Sequence, residues 1–369
     1  MGESTTKDPE GEAWNQKKQT LIHELAQKLI NGDLDFKIQA ARDIRKLAKT
    51  SVKSRSNFAA AGVIQPLVSM LLSSNLQARE AALLALLNLA VRNERNKVRI
   101  VASGAVLPLV ELLKFQNGSL RELATAAILT LSASTSNKPT IAASGAIPHL
   151  VQILSSGSVQ GKVDAVTALY NLSTCMENLT PILAASAVPS LLNLLKECKK
   201  YSKFAEKTTS LLEILSNFEE GQTAISDSED GILTLVETIE DGSIISTEHA
   251  VGALLSLCQG CRNKYRELIL KEGAIPGLLR LTVDGTLKAQ ERARILLELL
   301  RDSPPQKRLA TAVLESIVYD IASRVDGADK AAKTAKKLLH DMVHRSMELS
   351  MSRIQLKAAS CTASEIPSA

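Results

Sequence analysis

The octet Ser103-Gly104-Ala105-Val106-Leu107-Pro108-Leu109-Val110 returns 41 residues later as Ser144-Gly145-Ala146-Ile147-Pro148-His149-Leu150-Val151. It is preceded by Ala61-Gly62-Val63-Ile64-Gln65-Pro66-Leu67-Val68. It is followed by Ser186-Ala187-Val188-Pro189, Asp230-Gly231-Ile232-Leu233 and Gly273-Ala274-Ile275-Pro276. Positions 62, 104, 145, 186, 230 and 273 are spaced by 42, 41, 41, 44 and 43 residues. A fixed period of this length marks an array of stacked units, each packing on its neighbours.

A second ladder runs in step with the first. Its anchors are Lys46, Asn88, Thr130, Asn171, Ile214, Ser256, Glu298 and His340, 41 to 43 residues apart. Two residues before the first seven sit Ile44, Leu86, Ile128, Leu169, Leu212, Leu254 and Leu296. One residue after them sits Leu in every case, and five before come Ala41, Leu83, Thr125, Val166, Thr209, Val251 and Ala293. These offsets share one face of a helix, which predicts the buried side of a long helix in each unit. Leu86, Leu169 and Leu254 are expected to be core.

Each unit parses as three helices. A short first helix, as at 96–102, 137–143 and 178–185, ends at a Gly, which can turn the chain with positive φ. Pro follows at 66, 108, 148, 189 and 276, near the start of a short apolar second helix where its missing N–H costs nothing. A polar joint such as Ser73-Ser74-Asn75 leads into the long third helix. The expected boundaries are a disordered tail over 1–16 and repeats over 17–303, the first unit being an incomplete N-cap. A helical C-terminal cap and extension follows over 304–357, with a disordered tail over 358–369.

Composition agrees with helices. Apolar residues make up 45% of the 369, but aromatics only 3%, so Leu, Ala and Ile carry the core. The net charge of +5 is small for this length, and no basic face with interleaved aromatics is evident, so no nucleic-acid partner is expected. There is no apolar leader and no run of 18 apolar residues. With cysteines scattered at 175, 198, 258, 261 and 361, this predicts a soluble cytoplasmic or nuclear protein with reduced thiols.

Helix, Gly-Pro turn, helix, polar joint and long helix is the armadillo plan. The chain resembles the plant armadillo-repeat proteins related to the U-box/armadillo ubiquitin ligases. Asn-Lys at 96–97 and 137–138, the Gly-Ala-Ile-Pro turns and Leu169-Tyr170-Asn171-Leu172-Ser173 carry the resemblance, which covers roughly 17–345. It implies an all-α, right-handed superhelical solenoid of about seven three-helix units plus a helical C-terminal cap. It also implies a non-enzymatic scaffold or adaptor that binds a partner polypeptide. Ligases of that family carry a U-box ahead of the repeats. With sixteen residues before the first expected helix, the expectation is the partner-binding arm alone, the alternative being a substrate-binding component of a U-box ligase pathway. Nuclear-import adaptors share the architecture and grip basic peptides with Trp four residues before Asn. Here those positions hold Arg42, Leu84, Ala126, Thr167, Ser210, Gly252 and Arg294.

The stacked third helices are expected to line a concave groove. Arg42, Lys46, Asn88, Thr130, Asn171, Ser256 and Glu298 are the candidate partner-binding residues. Arg42 and Lys46 make one end basic, whereas Glu291 and Glu298 place acid at the other, beside Arg294. The amide and hydroxyl groups either bond a ligand backbone or satisfy helix ends and neighbouring units.

Signs of chemistry are few. His340-Asp341-Met342-Val343-His344 has the i, i+4 histidines of a zinc-protease helix, but Asp replaces the Glu base and no third ligand is apparent. Cys258 and Cys261 have metal or redox spacing without a second pair, so Cys258 is expected in the core. No cofactor and no catalytic residue are expected. Gly2 formally fits a myristoylation pattern, although the following Glu3 is unfavourable. Lys330–Lys337 reads as a solvated basic face in preference to a nuclear signal, and Met342, Met347, Leu349 and Met351 extend an apolar edge that suits docking or self-association.

Overall fold

The computed structural model describes residues 9–115, 118–301 and the single positions 333, 337 and 341. The chain divides into two compact units, Met1–Leu300 and Arg301–Ala369. Of the second, Arg301, Lys333, Lys337 and Asp341 are described, the last three of them helical. The expected eighth unit, His340, the apolar edge at Met342–Met351, the C-terminal tail and Gly2 all lie outside the described residues.

The first unit is an all-helical solenoid, with no strand among the described residues. It opens with two helices, α1 (Pro9–Asn31) and α2 (Leu34–Thr50). Helix α1 starts at Pro9, so residues 9–16, expected as tail, are helical. Six three-helix repeats follow. The first two are α3 (Val52–Ala60), α4 (Ile64–Met70), α5 (Leu76–Ala90), and α6 (Glu94–Ala102), α7 (Val106–Leu113), α8 (Gly118–Ser132). The next two are α9 (Lys138–Ala143), α10 (Ala146–Ser156), α11 (Val159–Ser173), and α12 (Leu179–Ala184), α13 (Ala187–Glu197), α14 (Lys203–Ser216). The last two are α15 (Glu219–Asp227), α16 (Gly231–Asp241), α17 (Ile244–Gly260), and α18 (Arg262–Lys271), α19 (Ile275–Asp284), α20 (Leu287–Leu300). Short 3-10 turns at Thr135–Asn137 and Met176–Asn178 lead into α9 and α12.

All six turns between first and second helices contain one residue with positive φ. Gly62, Gly104, Gly145 and Gly273 lie between +76° and +83°. Ser186 and Asp230 hold the equivalent positions at 57° and 54°. The left-handed conformation is thus set by the turn, and four glycines adopt it without a β-carbon penalty.

The third helices other than α8 start on side-chain caps. Asp33, Asn75, Ser158, Ser202 and Ser243 each accept from a backbone N–H two or three residues on. Thr286 does the same for Ala289. Such caps satisfy N–H groups the helix itself cannot. Packing then follows the sequence stripe. Ile44, Ile128, Leu169, Leu212, Leu254 and Leu296 are fully buried, and Leu86 is nearly so. Alanines 40, 82, 124, 165 and 250 lie flush against neighbouring helices.

A buried amide row joins successive units. Asn96 Nδ2 donates to Leu89 O at 2.9 Å and to Arg55 O at 3.1 Å. Asn137 Nδ2 does the same with Leu131 O and Lys97 O. Asn178 Nδ2 donates to Leu172 O, and Gln222 Nε2 to Ser216 O and Ser256 O. Each amide closes the carbonyl end of the preceding third helix, where backbone acceptors lack helical partners. Arg55 plays this part at the first repeat, donating to Ala48 O, Lys49 O and Val91 O.

Candidate protein-binding face

Successive third helices, α2, α5, α8, α11, α14, α17 and α20, pack side by side. Their anchors and the residues four before them fall on one face, so Arg42, Lys46, Asn88, Thr130, Asn171, Ser256 and Glu298 share it in register. Arg42, Lys46 and Glu298 are exposed, whereas the other four are half-buried.

The four half-buried side chains already have partners. Asn88 Nδ2 donates to Arg45 O at 2.9 Å, one unit back. Asn171 Nδ2 donates to Ser132 Oγ at 3.2 Å and reaches Leu129 O at 3.5 Å. Ser256 Oγ donates to Asn217 Oδ1 at 3.0 Å. Thr130 Oγ1 donates to Ala126 O within its own helix. These donors link neighbouring third helices, or the last turn of one, so a ligand would meet the opposite side of each group.

At the N-terminal end, Gln39, Arg42, Arg45, Lys46 and Lys49 of α2 face Gln77, Glu80, Ala81 and Leu84 of α5 across an open depression of about 390 Å³. Lys46 pairs with Asp43 at 3.2 Å on the surface, an arrangement worth little in water. No carboxylate among the described residues pairs with Arg42, Arg45 or Lys49. Beyond the depression the face turns aliphatic, with half-buried Leu84 and Leu87 on α5 and Leu123, Ala126 and Leu129 on α8.

The C-terminal part is built differently. Lys207 of α14 sits over the Tyr170 ring of α11, 4.1 Å from its centroid. Ser243 Oγ donates to Glu206 across the next junction at 2.8 Å. Glu213 of α14 takes both His249 of α17 and Arg292 of α20. Arg292 also donates to Glu248 O, and the Glu248 carboxylate binds Thr286 and Lys288. Burial pushes the Glu213 carboxyl up, but His249 and Arg292 outweigh it and hold the group below its ordinary range. Glu248 is likewise held low, burial being outweighed by Thr286, Lys288 and Arg292. Near the anchors at this end, Arg294 lies 3.9 Å from Glu291.

Sequence reasoning missed these cross-helix ties and the buried amide row. The row had a visible signal, since Asn recurs at 96, 137 and 178, but the sequence reading takes these as starts of first helices and, at 96 and 137, as family phrases. Cys258 is buried and Cys261 exposed, in keeping with a core thiol at 258. Among the described residues no cluster of His, Cys, Asp and Glu could hold a metal ion. Among them, no single helix is long and apolar enough to cross a membrane.

The repeat geometry is that of an armadillo array, a fold that serves as a protein-binding scaffold. The armadillo/beta-catenin-like repeat model matches residues 55–91, and the plant U-box protein ARM repeat region matches residues 115–316. The second match covers more than half of the chain, which therefore belongs to the plant U-box ARM repeat family. Similar Arabidopsis thaliana proteins include U-box domain-containing protein 14, 39% identical over 99 residues (27% of this chain, 15% of the relative). U-box domain-containing protein 45 is 32% identical over 130 residues, or 35% of this chain and 16% of the relative. The matched segments thus span less than a quarter of the length of these relatives. An engineered protein of known crystal structure shares the fold, with a TM-score of 0.68 at 22% identity over 85% of this chain and 77% of that one.

Proposed function

We propose that this protein is a non-enzymatic scaffold or adaptor that holds a partner polypeptide along the face of its third helices. The partner's acidic segment lies toward the N-terminal units. Arg42, Lys46, Asn88, Thr130 and Asn171 line its path, with Ser256 and Glu298 at the far end. The observation that carries this reading is the cluster Arg42, Arg45 and Lys49, exposed on α2 without carboxylate partners among the described residues. Cations held beside an open depression steer and orient an acidic chain more than they stabilise the fold. The proposed site of action is the cytoplasm or nucleus.

A peptide-display selection on the immobilised protein tests the reading. Enriched peptides should lose affinity for Arg42→Glu/Lys46→Glu, measured by calorimetry, with the helical signal in circular dichroism retained. Failure to enrich any peptide that responds to these or to Asn88→Ala/Asn171→Ala would overturn it.

Membership of the U-box ARM family favours a second reading, a substrate-binding component of a ubiquitin-ligase pathway. Association with a ubiquitin-conjugating enzyme would support it, and its absence in reconstitution with purified components would count against it.

A further inference from the structure

The third-helix face is divided between an open part and a part whose side chains are committed to one another. From α11 onward the polar groups reach across to the next helix: Lys207 to Tyr170, Ser243 to Glu206, Arg292 to Glu213 and Thr286 to Glu248. A ligand there would have to break these pairings before making its own, and breaking a partly buried pair costs more than a new exposed contact returns. Across α2, α5 and α8 the Asn88 amide is tied to the Arg45 carbonyl, but among the described residues no charged pair between these helices would have to be broken.

We infer that the partner segment held most tightly lies on α2, α5 and α8, and that it is an acidic–aliphatic peptide, with carboxylates over α2 followed by aliphatic side chains over α5 and α8. This rests on the scaffold reading above and names the chemistry of its ligand. Four cations, Arg42, Arg45, Lys46 and Lys49, share the neighbourhood with Asp43 and Glu80. The surplus of two positive charges suits two or three carboxylates and is small for a polyanion. None of the residues lining the depression is aromatic, so nucleic-acid bases would find no stacking platform. The adjoining floor of Leu84, Leu87, Leu123, Ala126 and Leu129 carries no charge and is only half-covered, so aliphatic ligand side chains gain burial there. Packed helices lie about 10 Å apart, which makes the distance from α2 to α8 about 20 Å. An extended peptide covers that length with about six residues.

The test uses fluorescein-labelled peptides of about twelve residues, bracketing this span. They carry three Glu at one end and alternating Leu, Val and Ile toward the other, made in both chain directions, with a Lys-for-Glu control. One direction should bind and protect amides of α2, α5 and α8 from hydrogen exchange. Arg42→Glu/Arg45→Glu/Lys49→Glu should weaken it by at least about tenfold, and Leu84→Gln measurably, each with an unaltered melting temperature. Lys207→Gln should leave affinity unchanged. The inference is overturned if neither direction binds, if protection falls on α11–α20, or if the Lys control binds equally. It is also overturned if the charge variant loses only adhesion to phosphatidylserine vesicles. If display-selected peptides of other chemistry still bind this face, the scaffold reading survives that failure; if none does, both fall.

Discussion

Arg292 on α20 reaches Glu213 on α14, 79 residues away in sequence, by passing over Gly252 of the helix between them. A β-carbon at 252 would lie 2.7 Å from Glu213 Cδ and 2.8 Å from an Arg292 nitrogen. The bare backbone is what lets the two charges meet. Glu213→Gln is expected to destabilise the array by about 1–3 kcal/mol, because it leaves a mostly covered guanidinium short of its partner. In a Gly252→Ala background the same change should cost much less, and a double-mutant cycle from denaturant unfolding reads the coupling. Equal costs in both backgrounds would show that the bridge contributes nothing.

The same carboxylate gives a pH dependence. Its folded pKa is depressed, so its stabilisation is complete above the unfolded value of about 4.3 and disappears as pH falls through the folded value. The stability gap between wild type and Glu213→Gln should therefore be flat near neutrality and close on acidification, as followed by circular dichroism melts.

Ser186 occupies a turn position that four glycines fill elsewhere. A left-handed residue with a β-carbon costs about 1–2 kcal/mol, partly offset by the greater freedom of glycine in the unfolded chain. Ser186→Gly should raise stability by about 0.5–1 kcal/mol, and Gly145→Ala should lower it by a similar amount. Asp230 is a poorer test, since its side chain pairs with Lys196.

Asn137→Ala removes the two donors that Asn137 supplies to Leu131 O and Lys97 O. Buried acceptors left without partners cost about 1–3 kcal/mol. Amide exchange should accelerate first at the junction of α8 and α9. Uniform acceleration along the array would argue against a local role.

Burial raises the Cys258 thiol to about 11, whereas Cys261 is exposed. Iodoacetamide at pH 8 should modify Cys261 and spare Cys258 in the native protein, as read by peptide mass spectrometry. The raised thiol at Cys258 and its burial both favour this order.

The repeat period and the core were legible because they are properties of single helices. Six turn positions, including Ser186 and Asp230, were aligned by the recurring phrase and its spacing, and all six have the same backbone sign. Leu86, Leu169 and Leu254 are buried as the stripe requires. The start of α1 at Pro9 was not legible, since the charged segment around Glu10 and Glu12 carries little apolar periodicity. The ties of Glu213 were also hidden. They depend on the stagger between three helices and on the missing side chain at Gly252, neither of which a one-dimensional pattern records. The anchors' mutual face was readable, but the carbonyl that Asn88 has already engaged was not.

A strut that skips a unit changes how the array transmits force. Where neighbours touch only neighbours, a solenoid bends like a coil spring, each junction yielding independently. The Glu213–Arg292 link makes three consecutive long helices move together, so strain applied to the C-terminal repeats is passed on toward the N-terminal coils. Among the described residues no such link spans α2, α5 and α8, so each of those junctions is expected to yield on its own.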